Sequence, residues 1–373
     1  MNFNSFAFHP QINGGISAAG YSTPTPIQLQ TIPPILKGRD VLGLAQTGTG
    51  KTAAFVLPIL QRLLKGPRGR LRALILSPTR ELAEQTHSAI GVLGRQTGLR
   101  SLTIYGGVSA QPQIKGLRAG AEIAVACPGR LLDLIGQRVV NLQSIEILVL
   151  DEADRMFDMG FLPDIRRILA ALPTPRQTLL FSATMPGEVR SLVDQILSRP
   201  VTVDLGASRP VETVGHAVYP VEQTQKAELL LEILRSSGSG KVLVFTRTKH
   251  RAKKLATQLV KAGLSATSLQ GNLSQNQRQE AMNNFRSGRV KVLVATDIAA
   301  RGIDVSQISH VINYDMPDTA DAYTHRIGRT GRMTRLGTAL SLVTRDDQPM
   351  VRTIERLLGR SLEQRKLAGF DTM

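Results

Sequence analysis

Ala45-Gln46-Thr47-Gly48-Thr49-Gly50-Lys51-Thr52 is the stretch of sequence that decides the fold. A short apolar run precedes it and a helical pattern follows it, which is the context of a phosphate-binding loop with Ala in place of the first Gly. Gly48 and Gly50 allow backbone N–H groups to turn toward a phosphate, and the start of the helix adds a favourable field. In such a loop Lys51 reaches the outer phosphates and Thr52 ligates Mg²⁺. The stretch predicts a parallel α/β sheet that binds a nucleoside triphosphate at one edge.

A second segment, Asp151-Glu152-Ala153-Asp154, follows the uncharged run Ile147–Leu150. Its carboxylates are therefore expected to emerge at the carboxyl end of a buried strand. In that position Asp151 holds Mg²⁺ and Glu152 polarises the attacking water. A solvated acidic turn is the alternative for an isolated Asp-Glu pair, but the phosphate-binding loop in the same chain argues against it.

The composition is that of a globular chain with more than one domain. At 373 residues, 42% of them hydrophobic, the sequence is too long for one ordinary core. No apolar stretch approaches the ~18–20 residues of a transmembrane helix, and the first residues lack the pattern of a signal peptide. The single cysteine, Cys127, excludes an internal disulfide framework and fits a reducing environment. We therefore expect a cytoplasmic protein that does not span a membrane.

The net charge of +17 indicates a polyanionic partner, although general solubility is the alternative. Residues 1–206 contain 21 Lys and Arg against 14 Asp and Glu, and residues 207–373 contain 25 against 15, so both halves are basic. Trp is absent and aromatic residues make up 4%, too few for rows of stacked bases. Any grip on nucleic acid is expected to be on phosphate and sugar, without sequence specificity.

Short apolar runs alternate with helical patterns in two similar halves, which predicts two doubly wound α/β domains. The strands predicted in the first half are Asp40–Ala45, Ala73–Ser77, Leu102–Tyr105, Ile123–Ala126, Ile145–Leu150, Thr178–Ser182 and Val201–Val203. Those predicted in the second half are Lys241–Phe245, Ala266–Leu269, Val290–Ala295, His310–Tyr314 and Ala339–Val343.

A polar stretch with glycine and proline, Gly206–Val211, separates the halves. We predict an N-terminal domain over residues 1–206, a linker over 207–216 and a C-terminal domain over 217–373, with a ligand in the cleft between the domains. The sequence of the second half offers Phe245–Thr248 as the counterpart of the phosphate-binding loop, without its glycines. One domain is therefore expected to bind the nucleotide while the other closes over it.

Two further segments are candidates for function. The hydroxyl groups of Ser182-Ala183-Thr184 are expected beside the acidic pair, where they would link nucleotide state to domain closure. The alternative is a Ser/Thr cap on a helix that starts near Pro186. His325–Arg332 places arginines and glycines together, suited to phosphate contact from a second domain, with a solvated basic turn as the alternative.

The full set of motifs resembles the DEAD-box ATP-dependent RNA helicase family, most closely its RhlE-like bacterial branch. The motifs stand in the family's order and span nearly the whole chain, at Pro24–Gln28, Ala45–Thr52, Pro78–Ala83, Asp151–Asp154, Ser182–Thr184, Ala295–Asp304 and His325–Arg332. The resemblance implies two tandem RecA-like domains, the first with a Q motif within residues 1–28. It implies ATP and Mg²⁺ as cofactors and a cycle in which ATP-driven closure separates a short RNA duplex and hydrolysis releases the RNA.

The resemblance also assigns roles. Catalysis falls to Lys51, Asp151, Glu152, His325, Arg329 and Arg332. The nucleotide is held by Phe3, Tyr21, Gln28, Ala45, Gln46, Thr47, Gly48, Thr49, Gly50, Lys51, Thr52, Gly302, Asp304, Arg329 and Arg332, and the metal by Thr52 and Asp151. RNA backbone contacts come from Pro78, Thr79, Arg80, Gly106, Gly107, Pro128, Gly129, Arg130, Arg247, Gly271, Arg278 and Thr296. Coupling between the sites falls to Asp154, Ser182, Thr184 and Arg326.

Two positions depart from the family pattern. Cys127 stands where the family usually has Thr, which removes a hydroxyl for an RNA phosphate and predicts weakened RNA affinity. Gln270 stands where His commonly precedes Gly271. The basic loop residues Lys65, Arg68, Arg70 and Arg72 are expected to be solvated, with an auxiliary RNA contact as the alternative.

Three classes of function follow from these patterns. The leading hypothesis is an ATP-dependent RNA helicase acting on single-stranded RNA and short duplexes. An ATP-gated RNA clamp is the second, and a DNA-directed ATPase, which Gln28 and the acidic motif disfavour, is the third. We expect a monomer, with ribosome-assembly or RNA-decay proteins as possible partners.

Overall fold

The chain forms two compact units, Met1–Ala207 (unit 1) and Ser208–Met373 (unit 2). The structure is a computed structural model and describes residues 2–46, 48–205, 214–236, 238, 240–300, 308–328, 330 and 337–367, with the backbone alone for residues 298 and 321. Within those residues no helix is long and apolar enough to cross a membrane.

Unit 1 is built on a sheet of seven parallel strands. In chain order the strands are β1 Val41–Leu44, β2 Ala73–Leu76, β3 Ser101–Ile104, β4 Ile123–Ala126, β5 Ile147–Asp151, β6 Gln177–Ser182 and β7 Val201–Asp204. Their order across the sheet is β3-β4-β2-β5-β6-β1-β7. After a 3₁₀ turn at Phe3–Phe6, the helices are α1 Pro10–Ala18, α2 Pro26–Leu36, α3 Lys51–Leu63, α4 Arg80–Leu93, α5 Gln111–Arg118, α6 Pro128–Gly136, α7 Ala153–Asp158, α8 Leu162–Ala170 and α9 Gly187–Ile196.

The strands of unit 1 are apolar on both faces because helices cover both faces of the sheet. Ile147 and Val149 of β5 pack in one cluster with residues of α1–α4. Leu148 and Leu150 pack in a second cluster with residues of α6–α9. Alternate residues along one strand thus serve opposite layers, which is the doubly wound arrangement that the sequence predicts.

Unit 2 repeats this plan with a second sheet of seven parallel strands. Its strands are β8 Val214–Pro220, β9 Lys241–Phe245, β10 Ala266–Leu269, β11 Val292–Ala295, β12 Ile308–Asn313, β13 Gly337–Val343 and β14 Glu363–Gln364. Their order is β10-β11-β9-β12-β13-β8-β14. The helices are α10 Lys226–Ser236, α11 Lys249–Lys261, α12 Gln275–Arg286, α13 Asp297–Ala300, α14 Ala320–Ile327 and α15 Gln348–Leu358, with a 3₁₀ turn at Arg345–Asp347.

The α/β class and the parallel sheets predicted from sequence are confirmed, and the predicted strands differ from the observed ones only at their ends. Strands β8 and β14 are absent from the prediction. Gly215 and the terminal Pro220 weaken the pattern of β8, and β14 is only two residues long. Residues 214–216 of the predicted linker lie in β8, so that end of the linker is wrong. Residues 207–213, and the stretch 206–211 proposed as the boundary, lie outside the described residues.

The two sheets match strand for strand when their orders are aligned. β8 occupies the place that β1 occupies in unit 1, and β9 occupies the place of β2. The counterpart of the phosphate-binding loop is therefore the segment 221–225, which follows β8. The prediction that residues 245–248 are that counterpart is wrong, since they correspond to the end of β2.

Candidate active site

Three neighbouring strands, β5, β6 and β1, bring the principal motifs of unit 1 to one edge of the sheet. The register pairs Leu44 with Ser182 and Asp151 with Phe181, so these strands end together. The N–H of Ala45, the first residue of the phosphate-binding loop, donates to the carbonyl of Ser182 at 2.9 Å. The loop, the acidic segment and the Ser182 segment therefore form one site.

Two glycines give the phosphate-binding loop its shape. Gly48 and Gly50 have φ angles of 88° and 96°, in the left-handed region that favours glycine. A Cβ on Gly50 would come within 2.5 Å of Nε2 of Gln28, so the site leaves no room for a side chain there. The Nζ of Lys51 is buried and donates to the carbonyl of Ala45 at 2.8 Å. The loop thus folds around its own lysine, whose amine has further donors for a phosphate.

The Gln28 side chain ties the start of α2 to this loop. Its Oε1 accepts from the N–H of Thr25 at 2.9 Å and its Nε2 donates to the carbonyl of Gly50 at 3.0 Å. The side chain is only 4% exposed. Within the described residues one amide hydrogen and one lone pair of Gln28 are not used by these bonds, and a donor and an acceptor are what an adenine edge needs.

An aromatic pair lies at the amino end of the chain. The rings of Phe3 and Tyr21 stack with centroids 6.1 Å apart and planes inclined by 23°. Phe3 is buried whereas Tyr21 is 43% exposed. Tyr21 therefore offers an open ring face supported from behind by Phe3, suited to packing against a base.

Asp151 and Glu152 are both buried at the carboxyl end of β5. Within the described residues Oδ1 of Asp151 has no hydrogen-bond partner. Burial and the neighbouring Glu152 carboxylate raise the pKa of Asp151 to about 7, against the opposing effect of Lys51. A buried carboxylate with a free oxygen favours a cation beside it. Thr52, the second predicted ligand, lies in the first turn of α3, and hydroxyl and carboxylate oxygens are the kind of donors that Mg²⁺ prefers.

Glu152 has an unusual backbone and a strong partner. It lies in the left-handed region at φ 52° and immediately precedes α7. Its Oε2 accepts from Nη1 of Arg155 at 2.6 Å, and the two side chains are 5% and 4% exposed. Sequence reasoning missed Arg155, although its position three residues after Glu152 at a helix start is the signal for such a pair.

Asp154 links the acidic segment to the Ser182 segment. Its Oδ2 accepts from the N–H and the hydroxyl of Thr184 at 2.9 and 3.1 Å. Its own N–H donates to the hydroxyl of Ser182 at 3.2 Å. The alternative of a Ser/Thr helix cap is wrong, because α9 starts after Pro186 and has no side-chain cap. The predicted proximity of the two segments is confirmed, and the coupling role stays a prediction.

Beyond β5, the ends of β2, β4 and β3 form a second surface at the same edge of unit 1. Thr79 caps α4 by accepting from the N–H of Leu82 at 3.3 Å. The Arg80 guanidinium lies 4.2 Å from the Tyr105 ring centroid, and its Nη1 has no hydrogen-bond partner within the described residues. Pro78 lies buried between these features and β2. The unpartnered N–H donor of Arg80 is suited to binding a phosphate oxygen.

The ends of β3 and β4 add glycines and a second arginine to this surface. Added Cβ atoms on Gly106, Gly107 and Gly129 would meet open space, so a ligand backbone can approach there. α6 begins at Pro128, and Nη2 of Arg130 donates to the Val108 carbonyl at 3.1 Å while its Nη1 has no partner within the described residues. The predicted RNA contacts of unit 1 are thus on adjacent strand ends.

Cys127 precedes α6 and makes no side-chain cap. Burial and the nearby Glu81 raise the pKa of its thiol to about 12, so the thiol stays protonated and unreactive. The departure from Thr removes a hydroxyl donor, while the backbone N–H groups at the helix start remain.

In unit 2 the strands β10, β11 and β9 end side by side, and the predicted RNA contacts follow them. Arg247 follows β9 and its side chain is 56% exposed. Gly271 follows β10 with open space at its Cβ position, and Thr296 follows β11. The fourth, Arg278, lies in the first turn of α12 and donates to the Ala299 carbonyl at 3.5 Å. Arg247, Gly271 and Thr296 therefore lie at one edge of the unit 2 sheet, and the RNA contacts of all four residues stay a prediction.

The departure at Gln270 has a local role. Its side chain is 3% exposed, and its Oε1 accepts from the N–H of Asn272 at 2.7 Å. The amide therefore shapes the turn that presents Gly271.

Arg326 is buried and fully engaged. Its Nε and Nη2 donate to both carboxylate oxygens of Asp297 at 2.6 Å each. Its Nη1 donates to Oδ1 of Asn313 at 2.9 Å and to the carbonyl of Asp315 at 2.7 Å. Arg326 thus holds the ends of β11 and β12 together, and His325 precedes it in the last turn of α14.

Sequence reasoning missed Asp315, which is 4% exposed. Its Oδ2 accepts from the N–H of Arg247 at 2.8 Å, and its Oδ1 pairs with Nη1 of Arg251 at 2.5 Å. A lone Asp after a strand gives no sequence signal for such a role.

Several predicted site residues lie outside the described residues, namely Thr47, Gly302, Asp304, Arg329 and Arg332. Gln46 and Thr49 lie within them, and the Thr49 hydroxyl donates to the Gln46 carbonyl at 2.8 Å. The prediction that Arg72 is solvated is wrong. It is 3% exposed, and its guanidinium binds Glu146 at 2.6 and 3.3 Å.

Comparisons with known proteins identify helicase domains in both units of the chain. The profile of the DEAD/DEAH box helicase family matches residues 25–192, and that of the helicase conserved C-terminal domain matches residues 225–334. The RNA helicase CrhR of Synechocystis is 46% identical over 346 residues, which cover 92% of this chain and 70% of that protein. The DEAD-box ATP-dependent RNA helicase CshA of Bacillus subtilis is 39% identical over 373 residues, which cover 100% and 75%.

A solved structure of S. cerevisiae Dbp5 bound to RNA and ADP BeF3 is similar in fold, with a TM-score of 0.87. It is 32% identical, and the match covers 98% of this chain and 95% of that one.

Proposed function

The chain belongs to the DEAD/DEAH box helicase family and is an ATP-dependent RNA helicase, and we propose that ATP is hydrolysed at the β5-β6-β1 edge of unit 1. The observation that carries the proposal is the unpartnered Oδ1 of Asp151, buried among the described residues beside a loop that leaves room only for glycine at position 50. The free carboxylate oxygen suits a cation and the glycine loop suits a phosphate, and ATP with Mg²⁺ supplies both.

The residues of the loop would receive the triphosphate of ATP. The backbone N–H groups at the start of α3 and the Lys51 amine would bind the outer phosphates. Thr52 and Asp151 would hold Mg²⁺, which supplies charge neutralisation for the phosphates when bound. Gln28 and the Tyr21 ring would recognise the adenine, which accounts for a preference for ATP.

Glu152 would orient the water that attacks the outer phosphate. Its ion pair with Arg155 holds one of its carboxylate oxygens in place. The hydrogen bond between Thr184 and Asp154 would couple the state of the bound nucleotide, ATP or ADP, to the end of the neighbouring strand β6. His325, Arg326, Arg329 and Arg332 are proposed as the contribution of unit 2, with Gly302 and Asp304 at the nucleotide.

RNA would be gripped by its backbone at the adjacent strand ends of both units. Free guanidinium donors on Arg80 and Arg130 and the open approach at Gly107 support phosphate contacts without base reading. ATP-driven closure would separate a short duplex, and hydrolysis would release the strand. We further propose that the protein is a monomer of the RhlE-like branch, acts in the cytoplasm, and serves ribosome assembly or RNA decay.

Steady-state ATPase activity tests the proposal, measured without nucleic acid, with single-stranded RNA and with DNA. We expect RNA to stimulate turnover well above DNA, and Glu152→Gln to abolish the stimulation. Glu188→Gln, at an exposed position of α9, is the matched control and should behave as wild type. Equal stimulation by DNA would contradict the RNA assignment, whereas RNA-stimulated turnover without separation of a short duplex would favour a clamp.

A further inference from the structure

The amino edge of the unit 1 sheet, opposite the active site, carries a cluster of arginines in two adjoining open depressions. The first is a depression of about 550 Å³ lined by Arg62, Arg70 and Arg176 together with Glu146. The second, of about 520 Å³, is lined by Arg39, Arg176 and Arg199 together with Asp40. Arg176 and Gly38 line both, so the depressions form one continuous surface, which we call the amino-edge surface.

The two carboxylates of this surface are already committed to other partners. Asp40 accepts from the N–H groups of Thr178 and Ser198 at 2.8 and 2.7 Å. Glu146 is bound by Arg72 from beneath at 2.6 Å, and Arg62 lies 3.5 Å from its second oxygen. Asp40 partly offsets the charge of Arg176, and among the described residues neither carboxylate forms an ion pair with Arg70 or Arg199.

The outer arginines keep unused donors. Arg39, Arg70 and Arg199 are exposed, and the side chains of Arg70 and Arg199 have no hydrogen bond or ion pair within the described residues. Nε of Arg176 is buried without an acceptor in that part of the chain, and its Nη1 donates to the Pro173 carbonyl at 3.0 Å. Burial lowers the pKa of Arg176, against the opposing effect of Asp40, so an anion here would relieve an unfavourable environment.

We propose that the amino-edge surface is a second RNA-binding site, which holds the phosphodiester backbone of RNA that extends beyond the active-site track. Arginine binds phosphate through its planar fork, and an open surface without aromatic residues suits a backbone more than a base. The site is separate from the RNA surface at the ends of β2, β3 and β4, because it lies at the opposite ends of the strands. The proposal rests on the proposed RNA helicase function.

The test compares RNAs of two lengths, since only a long strand can occupy both sites. An RNA of about 8 nucleotides fills one track, whereas one of about 40 nucleotides extends past it. The variant Arg70→Gln/Arg176→Gln/Arg199→Asn removes the outer cations, and Asn suits the left-handed φ of 43° at position 199. The matched control is Lys253→Gln/Lys254→Gln/Lys261→Gln, which removes equal charge from the exposed face of α11.

We expect the variant to bind the long RNA about tenfold more weakly, with a salt slope reduced by about 2, because each phosphate contact to a single strand contributes ~0.7. Its affinity for the short RNA, its ATPase activity with the short RNA and its melting temperature should match wild type. Unchanged affinity for the long RNA, or an equal loss in the control, would overturn the proposal. Binding of polyglutamate to wild type but not to the variant, with long-RNA affinity unchanged, would also overturn it in favour of an acidic protein.

The short RNA separates this proposal from the function on which it rests. If the short RNA fails to stimulate ATP hydrolysis by the wild-type protein, the proposed function itself fails. If stimulation is normal and only the length dependence is absent, the second site alone is wrong.

Discussion

Two lysines begin equivalent helices in the two units, and their surroundings differ. Lys51 starts α3 after β1, and Lys226 starts α10 after β8, the strand in the same place of the second sheet. Lys51 donates to a carbonyl of its own loop, beside Asp151, whose Oδ1 has no hydrogen-bond partner among the described residues. Lys226 is 1% exposed, donates to the Tyr314 carbonyl at 3.0 Å and lies 3.6 Å from Asp347.

The segments before these lysines explain the difference. Residues 45–50 contain two glycines with positive φ, which turn the backbone into a cradle. Residues 221–225 read Val-Glu-Gln-Thr-Gln, without glycine. In unit 2 a protein carbonyl and a carboxylate therefore occupy the surroundings of the lysine amine. In unit 1 the glycine loop is shaped to bind a phosphate at the equivalent place. Two helix starts at the same place in the topology thus differ in role: the one in unit 2 stabilises the fold, and the one in unit 1 is suited to binding phosphate.

The largest expected effect is the loss of hydrolysis in Lys51→Met. Removing a cation that stabilises charge on the outer phosphates should lower RNA-stimulated ATP turnover by about 100-fold or more. The free energy of unfolding should change little, because within the described residues the Lys51 side chain makes one hydrogen bond, to its own loop. Phosphate release measured under saturating RNA checks this, and turnover within a few-fold of wild type would show that the cradle does not depend on its lysine.

The next effect concerns the pH dependence of stability through Asp151. Its folded pKa of about 7 lies above the ordinary 3.8, so the ionised form costs folding free energy above pH 7 and that cost disappears below pH 3.8. Asp151→Asn should therefore stabilise the metal-free protein by ~2–4 kcal/mol at pH 8, with a smaller gain at pH 5. Urea unfolding at the two pH values measures it, and a gain that grows toward pH 5 would contradict the environment described for Asp151.

Lys226→Met should reverse the pattern of Lys51→Met. It leaves the Tyr314 carbonyl without its donor and Asp347 without its cation, which should lower the free energy of unfolding by ~1–3 kcal/mol. Affinity for ADP should stay at the wild-type value, because the residue lies in the filled site of unit 2. Thermal unfolding with and without ADP measures both quantities, and weakened nucleotide binding in a folded variant would refute the contrast.

The smallest effect is expected at Asp315, which holds the backbone of Arg247. Asp315→Asn should weaken binding of single-stranded RNA by about threefold, roughly 0.6 kcal/mol, since Asn retains an acceptor but loses the ion pair with Arg251. Asp318→Asn is the control, because Asp318 is 82% exposed and lies 3.6 Å from the same Arg247 as a surface pair. Fluorescence anisotropy measures both, and equal losses would assign the effect to charge alone.

The sequence predicted the position of the acidic segment well because Asp151 ends a fully buried strand, β5, whose preceding residues are all apolar. It predicted Ser182 beside Asp154 for the same reason, since parallel neighbours end together. It failed at β8, whose glycine and proline hide the strand, and that failure misplaced the counterpart of the phosphate-binding loop. Partners distant in sequence, such as Asp315 for Arg247, carry no periodic signal and require the fold to bring them together.

The central claim is that each chain has one nucleotide site, built around Lys51, while the equivalent place around Lys226 is closed. Calorimetric titration of the wild-type protein and the two lysine variants with ADP in the presence of Mg²⁺ tests it most directly. The account predicts one ADP per chain in the wild type, the same in Lys226→Met, and no detectable binding in Lys51→Met. Two sites per chain, or loss of binding in a folded Lys226→Met protein, would contradict it.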